Sequence, residues 1–148
     1  MQTTDPQSKH HVLFLCTGNS CRSQMAEGLT NALLGEQWQA TSAGTQPSGY
    51  VHPLAVQALK EIGITHQGFS KSVDQFRDTP FDLVITLCDD ADQNCPVWLG
   101  KGQRLHIGFP DPGEVQGSDT EKMAAFRSVR DDIKERVFPA LISFEKVS

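Results

Sequence analysis

Val12-Leu-Phe-Leu-Cys-Thr-Gly-Asn-Ser-Cys-Arg-Ser-Gln-Met-Ala-Glu-Gly28 is the stretch whose reading decides the fold. Val12 to Leu15 is a short continuous apolar run, as expected of a strand buried on both faces. Cys16 to Arg22 is small and polar and reads as a loop. Met25, Ala26, Leu29, Ala32 and Leu33 then recur at helical spacing, and Gly35 supplies a stop. The chain therefore opens as strand, loop, helix.

Working outward, Met1 to Lys9 is polar and aperiodic, so residues 1–10 are expected to form a flexible N-terminal tail and 11–148 a single domain. The His10-His11 pair is either metal-seeking or the start of the first strand. Gln39 to Ala43 reads as a second strand. Pro53 suits the first position of a helix, with Leu54, Ala55, Ala58, Leu59 and Ile62 as its stripe and Gly63 as its end. Asp82 to Leu87 is the clearest strand, and Leu105 to Ile107 a fourth. Between them Cys88 to Arg104 has no regular period and reads as a long loop, a common place for function. Met123, Phe126, Val129, Ile133 and Val137 mark a long helix, which Pro139 should kink or restart. Strands alternating with helices predict βαβ units and a parallel sheet.

A length of 148 residues suits one domain with its own core. No apolar run approaches the roughly 20 residues that span a bilayer, and no cleavage signal follows the first one. The expectation is a cytoplasmic protein with no membrane attachment. A net charge of −5 argues against a nucleic-acid partner. The four cysteines fall into two pairs, Cys16 with Cys21 and Cys88 with Cys95. In a reducing compartment such thiols point to catalysis, redox work or metal rather than a permanent framework. The Cys-x4-Cys and Cys-x6-Cys spacings are poor matches to tight structural zinc pairs. A Cys88–Cys95 disulfide requires the segment to bring its Cα atoms within about 7 Å.

The loop Cys16-Thr17-Gly18-Asn19-Ser20-Cys21-Arg22-Ser23 runs from a buried strand into a helix N-terminus. Gly18 and Asn19 tolerate unusual backbone angles. Such a loop can turn successive N–H groups toward one tetrahedral oxyanion, and the helix adds partial positive charge there. Arg22 can grip two oxygens with its planar fork. The same field should hold the Cys16 thiol well below its free pKa of about 8.5, giving a nucleophile that faces a bound electrophile. The alternative is a buried strand-end cysteine with no chemistry. No Gly-Lys-Ser/Thr follows, so the loop is not of the Walker type.

The stretch Cys16 to Gly28 resembles the signature of arsenate reductases built on the low-molecular-weight protein tyrosine phosphatase fold. Ser42-Ala-Gly44, Thr86-Leu-Cys-Asp-Asp-Ala-Asp-Gln-Asn-Cys-Pro96 and His106-Ile-Gly-Phe-Pro-Asp-Pro112 extend the resemblance from Val12 to about Phe138. It implies a three-layer α/β fold with a central four-stranded parallel sheet flanked by helices. It further implies that the Cys16 thiolate attacks arsenate, with Thr17 to Ser23 binding the oxyanion and Asp111 as general acid. Cys88 then attacks Cys16 and expels arsenite. Cys95 attacks Cys88, and thioredoxin reduces the resulting disulfide; glutaredoxin with glutathione is the alternative donor. Phosphate and sulfate should compete for the site. Asn19, Glu27 and Ser42 match positions that shape the loop and contribute to a potassium site in some relatives. An aspartate of that site aligns with Lys71, whose ammonium is expected to replace the cation beside Glu27. Ser23 is expected to bond the Cys16 sulfur or to cap the helix. No metal or organic cofactor is implied, and a monomer is expected. A tyrosine phosphatase would use the same loop, but Gly113-Glu114 follows Asp111-Pro112 where those enzymes carry tyrosines. The only tyrosine is Tyr50. A non-catalytic redox sensor would need no acid.

Overall fold

The computed structural model describes residues 9–88 and 102–147. Among the described residues four strands and three helices follow in the order β1 His10–Cys16, α1 Arg22–Leu33, β2 Trp38–Gly44, α2 Pro53–Lys60, β3 Leu83–Thr86, β4 Gln103–His106 and α3 Asp119–Val147. Short 3-10 turns at Val73–Phe76 and Pro112–Glu114 complete the described elements.

The four strands form one sheet in the order β2-β1-β3-β4. Every pairing is parallel, with Phe14 between Ser42 and Ile85 in register. The strand order reverses at β1, because β2 lies on one side of it and β3 on the other. In open α/β sheets ligands bind beyond the carboxyl ends of the strands at such a reversal. Cys16 is the last residue of β1, so the fold delivers it to that place.

Alternation along the buried strands divides the core. Val12, Phe14, Leu83 and Ile85 face α1, α2 and α3 in the larger cluster, with Met25, Leu29, Leu59, Phe126 and Ile133. Leu13, Leu15, Ala43 and Val84 face the opposite way, covered by Val73, Phe76 and Phe81. Both faces of β1 are dry, which is why its sequence is continuously apolar. His10 and His11 belong to β1, and the His10 ring packs on Trp38 and Phe144.

Several boundaries differ from the sequence expectations. Leu33 and Ile62 are exposed because α1 ends at Leu33 and α2 at Lys60, before either side chain can turn inward. The fourth strand runs from Gln103 to His106 rather than from Leu105 to Ile107; of the segment expected to be irregular, residues 89–101 lie outside the described ones. Pro139 does not restart α3, which runs unbroken to Val147. Pro139 and Glu135 are both exposed, so the carbonyl that loses its helical partner can bond water.

Candidate active site

The loop between β1 and α1 is held by its carbonyl oxygens. Thr17 O accepts from Gln46 N at 2.9 Å, Gly18 O from Ser48 N at 2.9 Å and Ser20 O from His52 N at 3.0 Å. Asn19 O accepts from Gln24 Nε2 at 3.0 Å, and Cys21 O from Met25 N at 2.9 Å. Ser70 Oγ adds a second bond to Gly18 O at 3.0 Å. A trans peptide sets each N–H opposite the preceding carbonyl. Four of these carbonyls are anchored outside the loop and the fifth, Cys21 O, opens the α1 ladder; each bond sets the amide that follows it, in residues 18–22, on the other side, as an oxyanion cradle requires. Helix α1 adds its own free N–H groups. Its N-cap is Cys21, which makes no side-chain cap bond, and its first turn carries no acidic residue. Both features leave the helix N-terminus open to an anion.

Asn19 explains why the loop keeps this shape. Its φ is +51°, the only left-handed non-glycine among the described residues. Its amide donates to Ser23 Oγ at 2.8 Å, and its Oδ1 accepts from Lys71 N at 2.8 Å. Gln24 Nε2 reaches Asn19 O, Asn19 Oδ1 and, at 3.0 Å, Phe69 O. Gln24 Oε1 in turn meets His66 Nε2 at 2.7 Å. Gly44 must be glycine for a related reason: a Cβ there would collide with the Thr17 carbonyl oxygen.

Cys16 is buried, and its Sγ lies 2.9 Å from Ser23 Oγ. Ser23 Oγ accepts from Asn19 and keeps its own hydrogen, which it can donate to a Cys16 thiolate. Of the two roles expected of Ser23, the structure shows the sulfur contact and not the cap. Arg22 is also buried; Nη1 donates to Phe109 O at 3.2 Å, and Nη2 lies 3.8 Å from Asp111 Oδ2. Asp111 caps the 3-10 turn through Gly113 N at 2.9 Å and is about a third exposed at 31%. Burial is the main cause that pushes the Cys21 thiol up to about 12, with the Asp111 and Cys16 charges adding to it; the Ser20 hydroxyl and Arg22 work against it. Cys21 thus stays a neutral thiol inside the cradle.

Glu27, Ser42 and Lys71 come together beneath the loop. Ser42 Oγ donates to Glu27 Oε1 at 2.8 Å, and Lys71 Nζ stands 3.7 Å from the same oxygen and 3.0 Å from Phe69 O. The Lys71 side chain is nearly as buried as the core. Its ammonium already supplies the positive charge that a potassium ion would place beside Glu27, so these residues do not fit that ion. His66 Nε2 lies 4.0 Å from Glu27 Oε2. Burial holds the imidazole below its ordinary 6.5, with Glu27 pulling upward and Lys71 downward.

Cys88 sits two residues beyond the end of the β1–β3 pairing. Leu87 N donates to Leu15 O at 2.8 Å, which continues the ladder and brings Cys88 beside the strand end that carries Cys16. Cys88 is fully buried and disulfide-bonded, whereas Cys16 and Cys21 are free. Cys95, expected to complete the relay, lies outside the described residues, as does the expected change of shape from Asp89 to Cys95.

Sequence reasoning missed Gln24, His66 and the carbonyls of Phe69 and Phe109. Gln24 and His66 are a polar helical residue and a lone histidine 42 positions apart, and no local pattern links them.

A thiol at a sheet reversal, an open helix N-terminus and a loop anchored by its carbonyls are the features that a thiol enzyme acting on an oxyanion would need. The chain belongs to the low molecular weight phosphotyrosine protein phosphatase family, whose model matches residues 11–146. Within it, the chain is 48% identical to an arsenate reductase of Halalkalibacterium halodurans over 131 residues, covering 88% of this chain and 94% of that protein. It is 46% identical to the Bacillus subtilis arsenate reductase over 127 residues, covering 85% and 91%. Among solved structures, an arsenate reductase in a phosphate-binding state superposes with a TM-score of 0.71 at 32% identity, covering 94% of this chain and 99% of the other. A thioredoxin-dependent arsenate reductase of Corynebacterium glutamicum gives 0.67 at 27% identity, covering 95% of this chain and 64% of that one.

Proposed function

We propose that the protein reduces arsenate to arsenite with thiol electrons, and that thioredoxin restores it. The observation that carries this reading is the state of the second cysteine position. Cys88 is disulfide-bonded beside the strand end of a free Cys16, and a hydrolytic phosphatase needs no such thiol.

Arsenate enters the cradle of Thr17 to Ser23, with Arg22 matching two of its oxygens. Phosphate and sulfate share its shape and compete. The Cys16 thiolate, held by the Ser23 hydroxyl, attacks arsenic. Asp111 protonates the departing oxygen, which leaves as water. The Cys88 thiolate then attacks the Cys16 sulfur. The arsenic–sulfur pair passes to arsenic, which falls from As(V) to As(III), and arsenite leaves a Cys16–Cys88 disulfide. Cys95 attacks Cys88, freeing Cys16 and moving the disulfide to Cys88–Cys95. Thioredoxin, at about −270 mV, is a competent donor for its reduction. Asn19, Ser23, Glu27, Ser42 and Lys71 keep the cradle in shape without touching arsenic.

The relay and the Asp111 proton transfer suffice for the reaction, so no cofactor enters the scheme. We place the working unit in a single domain over 11–148, monomeric and cytoplasmic. Among the described residues no helix is long and apolar enough to cross a membrane.

The test is NADPH consumption with arsenate, thioredoxin and thioredoxin reductase, for the natural chain and Cys95→Ser. Arsenate-dependent turnover that the variant loses is the expected result. Turnover only with glutaredoxin and glutathione would change the donor. Failure of both couples, with ready hydrolysis of an aryl phosphate, would overturn the reductase reading.

A further inference from the structure

His52, which the sequence reading did not single out, meets the cradle, the start of α2, α3 and the acid turn. Its backbone N–H holds the Ser20 carbonyl at 3.0 Å, one of the four carbonyls anchored outside the loop. Its Nδ1 accepts from Leu54 N at 3.1 Å and caps α2. Its ring lies 4.7 Å from that of Phe126 on α3. Its Cδ2 borders Gly113: a Cβ built there would sit 3.8 Å from His52, 3.3 Å from Cys21 Sγ and 3.2 Å from Asp111 Oδ1. Gly113 thus marks where His52, the cradle and the acid turn converge.

We infer that His52 is a positioning residue of the anion site, and that it holds the Ser20 anchor only while its imidazole is neutral. An Nδ1 that accepts a backbone N–H must carry a lone pair, which fixes the Nε2–H form. A proton on Nδ1 removes the acceptor and uncaps α2. The first turn of α2 then loosens, and with it the backbone N–H that turns Ser20 O outward and the Cys21 amide inward. Asp111 from the acid turn favours the imidazolium and Lys122 from α3 opposes it. Cys21 from the cradle is a neutral thiol, and Tyr50 lies 6.3 Å away on the chain's approach to α2. Burial is the leading influence and keeps the ring below its ordinary 6.5, so the neutral form holds at neutral pH.

The consequence for turnover rests on the arsenate reductase reading, but the test does not. Sulfate keeps one charge state between pH 5.5 and 7.5, so calorimetric titration with sulfate reads the cradle alone. His52→Asn retains a capping side chain that does not titrate; His52→Ala has none. At pH 7.5 His52→Asn should bind sulfate like the natural chain, and His52→Ala about fivefold more weakly, the order of effect of one lost N-cap. On moving to pH 5.5 the natural chain should weaken about fivefold relative to His52→Asn, as the cap titrates. In turnover, His52→Ala should raise the KM for arsenate more than it lowers kcat. Identical pH curves for the natural chain and His52→Asn would overturn the inference. So would tighter binding by the natural chain at pH 5.5, since His52 would then act as a charge. Absence of arsenate turnover with these sulfate shifts intact would sink the reductase reading and leave the inference standing.

Discussion

On one side of Cys16 the cradle rests on a buried lattice of side chains; on the other it faces the partly exposed Asp111. The buried flank runs Ser23, Asn19, Gln24, His66, and alongside them Lys71, Glu27 and Ser42, with most contacts between 2.7 and 3.1 Å. The open flank is Asp111, about a third exposed, 3.8 Å from Arg22 and tied mainly to its own turn. The difference suits two demands of the proposed chemistry. An anion cradle must be set before the anion arrives, because amides that reorganise during reaction give away their electrostatic gain. A proton donor must meet a leaving oxygen whose place changes as the bond breaks, and a looser mount allows that.

The largest expected effect comes from the open flank. Asp111→Asn keeps the turn's capping oxygen but cannot give up a proton. Arsenate turnover should fall about 10²–10⁴-fold, as for other general acids, with sulfate affinity nearly unchanged. Steady-state kinetics beside calorimetry decides it. A parallel loss of sulfate binding would mean that Asp111 shapes the cradle and that the two flanks are not distinct.

Asn19 tests the buried flank. Asn19→Ala leaves a left-handed backbone without the side chain that justifies it and strands Lys71 N. Stability should drop by about 2–3 kcal/mol, and sulfate binding should weaken with it. Asn19→Gly relieves the backbone but not the lost bonds. It should recover less than half of the stability in denaturant unfolding. Full recovery would show that only the dihedral angle matters and that the lattice is incidental.

Lys71→Met removes the cation beside Glu27 while keeping most of the stem. We expect a loss of about 1–3 kcal/mol, since a buried carboxylate loses one partner but keeps Ser42. Added potassium should restore part of it in the variant and do nothing to the natural chain. Stability and activity unchanged by the substitution, with or without potassium, would remove Lys71 from the cation's role.

How far the sequence could reach follows from where the information lies. The β1–loop–α1 unit was readable because burial on both faces leaves a continuous apolar run, and the helix leaves its spacing. The Lys71–Glu27 pairing was reached through resemblance, and the structure sets the two groups 3.7 Å apart. The stripes overshot at Ala32, Leu33 and Ile62 because spacing shows a helix's face but not its last turn. The carbonyls of Phe69 and Phe109 were out of reach for another reason. Every residue but proline offers the same backbone groups, so a bond from Gln24 across 45 positions or Arg22 across 87 leaves no mark on residue type.

The smallest expected effect again separates the flanks, through pH. His66 in the buried flank takes up a proton less readily folded than unfolded, chiefly because it is buried. The unfolded chain therefore binds more protons as pH falls from about 6.5, and stability falls with pH across that window and not above it. His52 bends the curve the same way from the open side. His66→Gln can still donate to Gln24 Oε1 and does not titrate. Its melting temperature should decline less than that of the natural chain between pH 7 and 5.5, in scans at matched ionic strength. If the natural chain instead declines less than the variant, His66 is protonated more readily folded than unfolded, and the Nε2–H that steadies Gln24 belongs to an imidazolium paired with Glu27. The buried flank would then be an ion cluster rather than a neutral relay, and Lys71 would share the cation's role with a second positive charge.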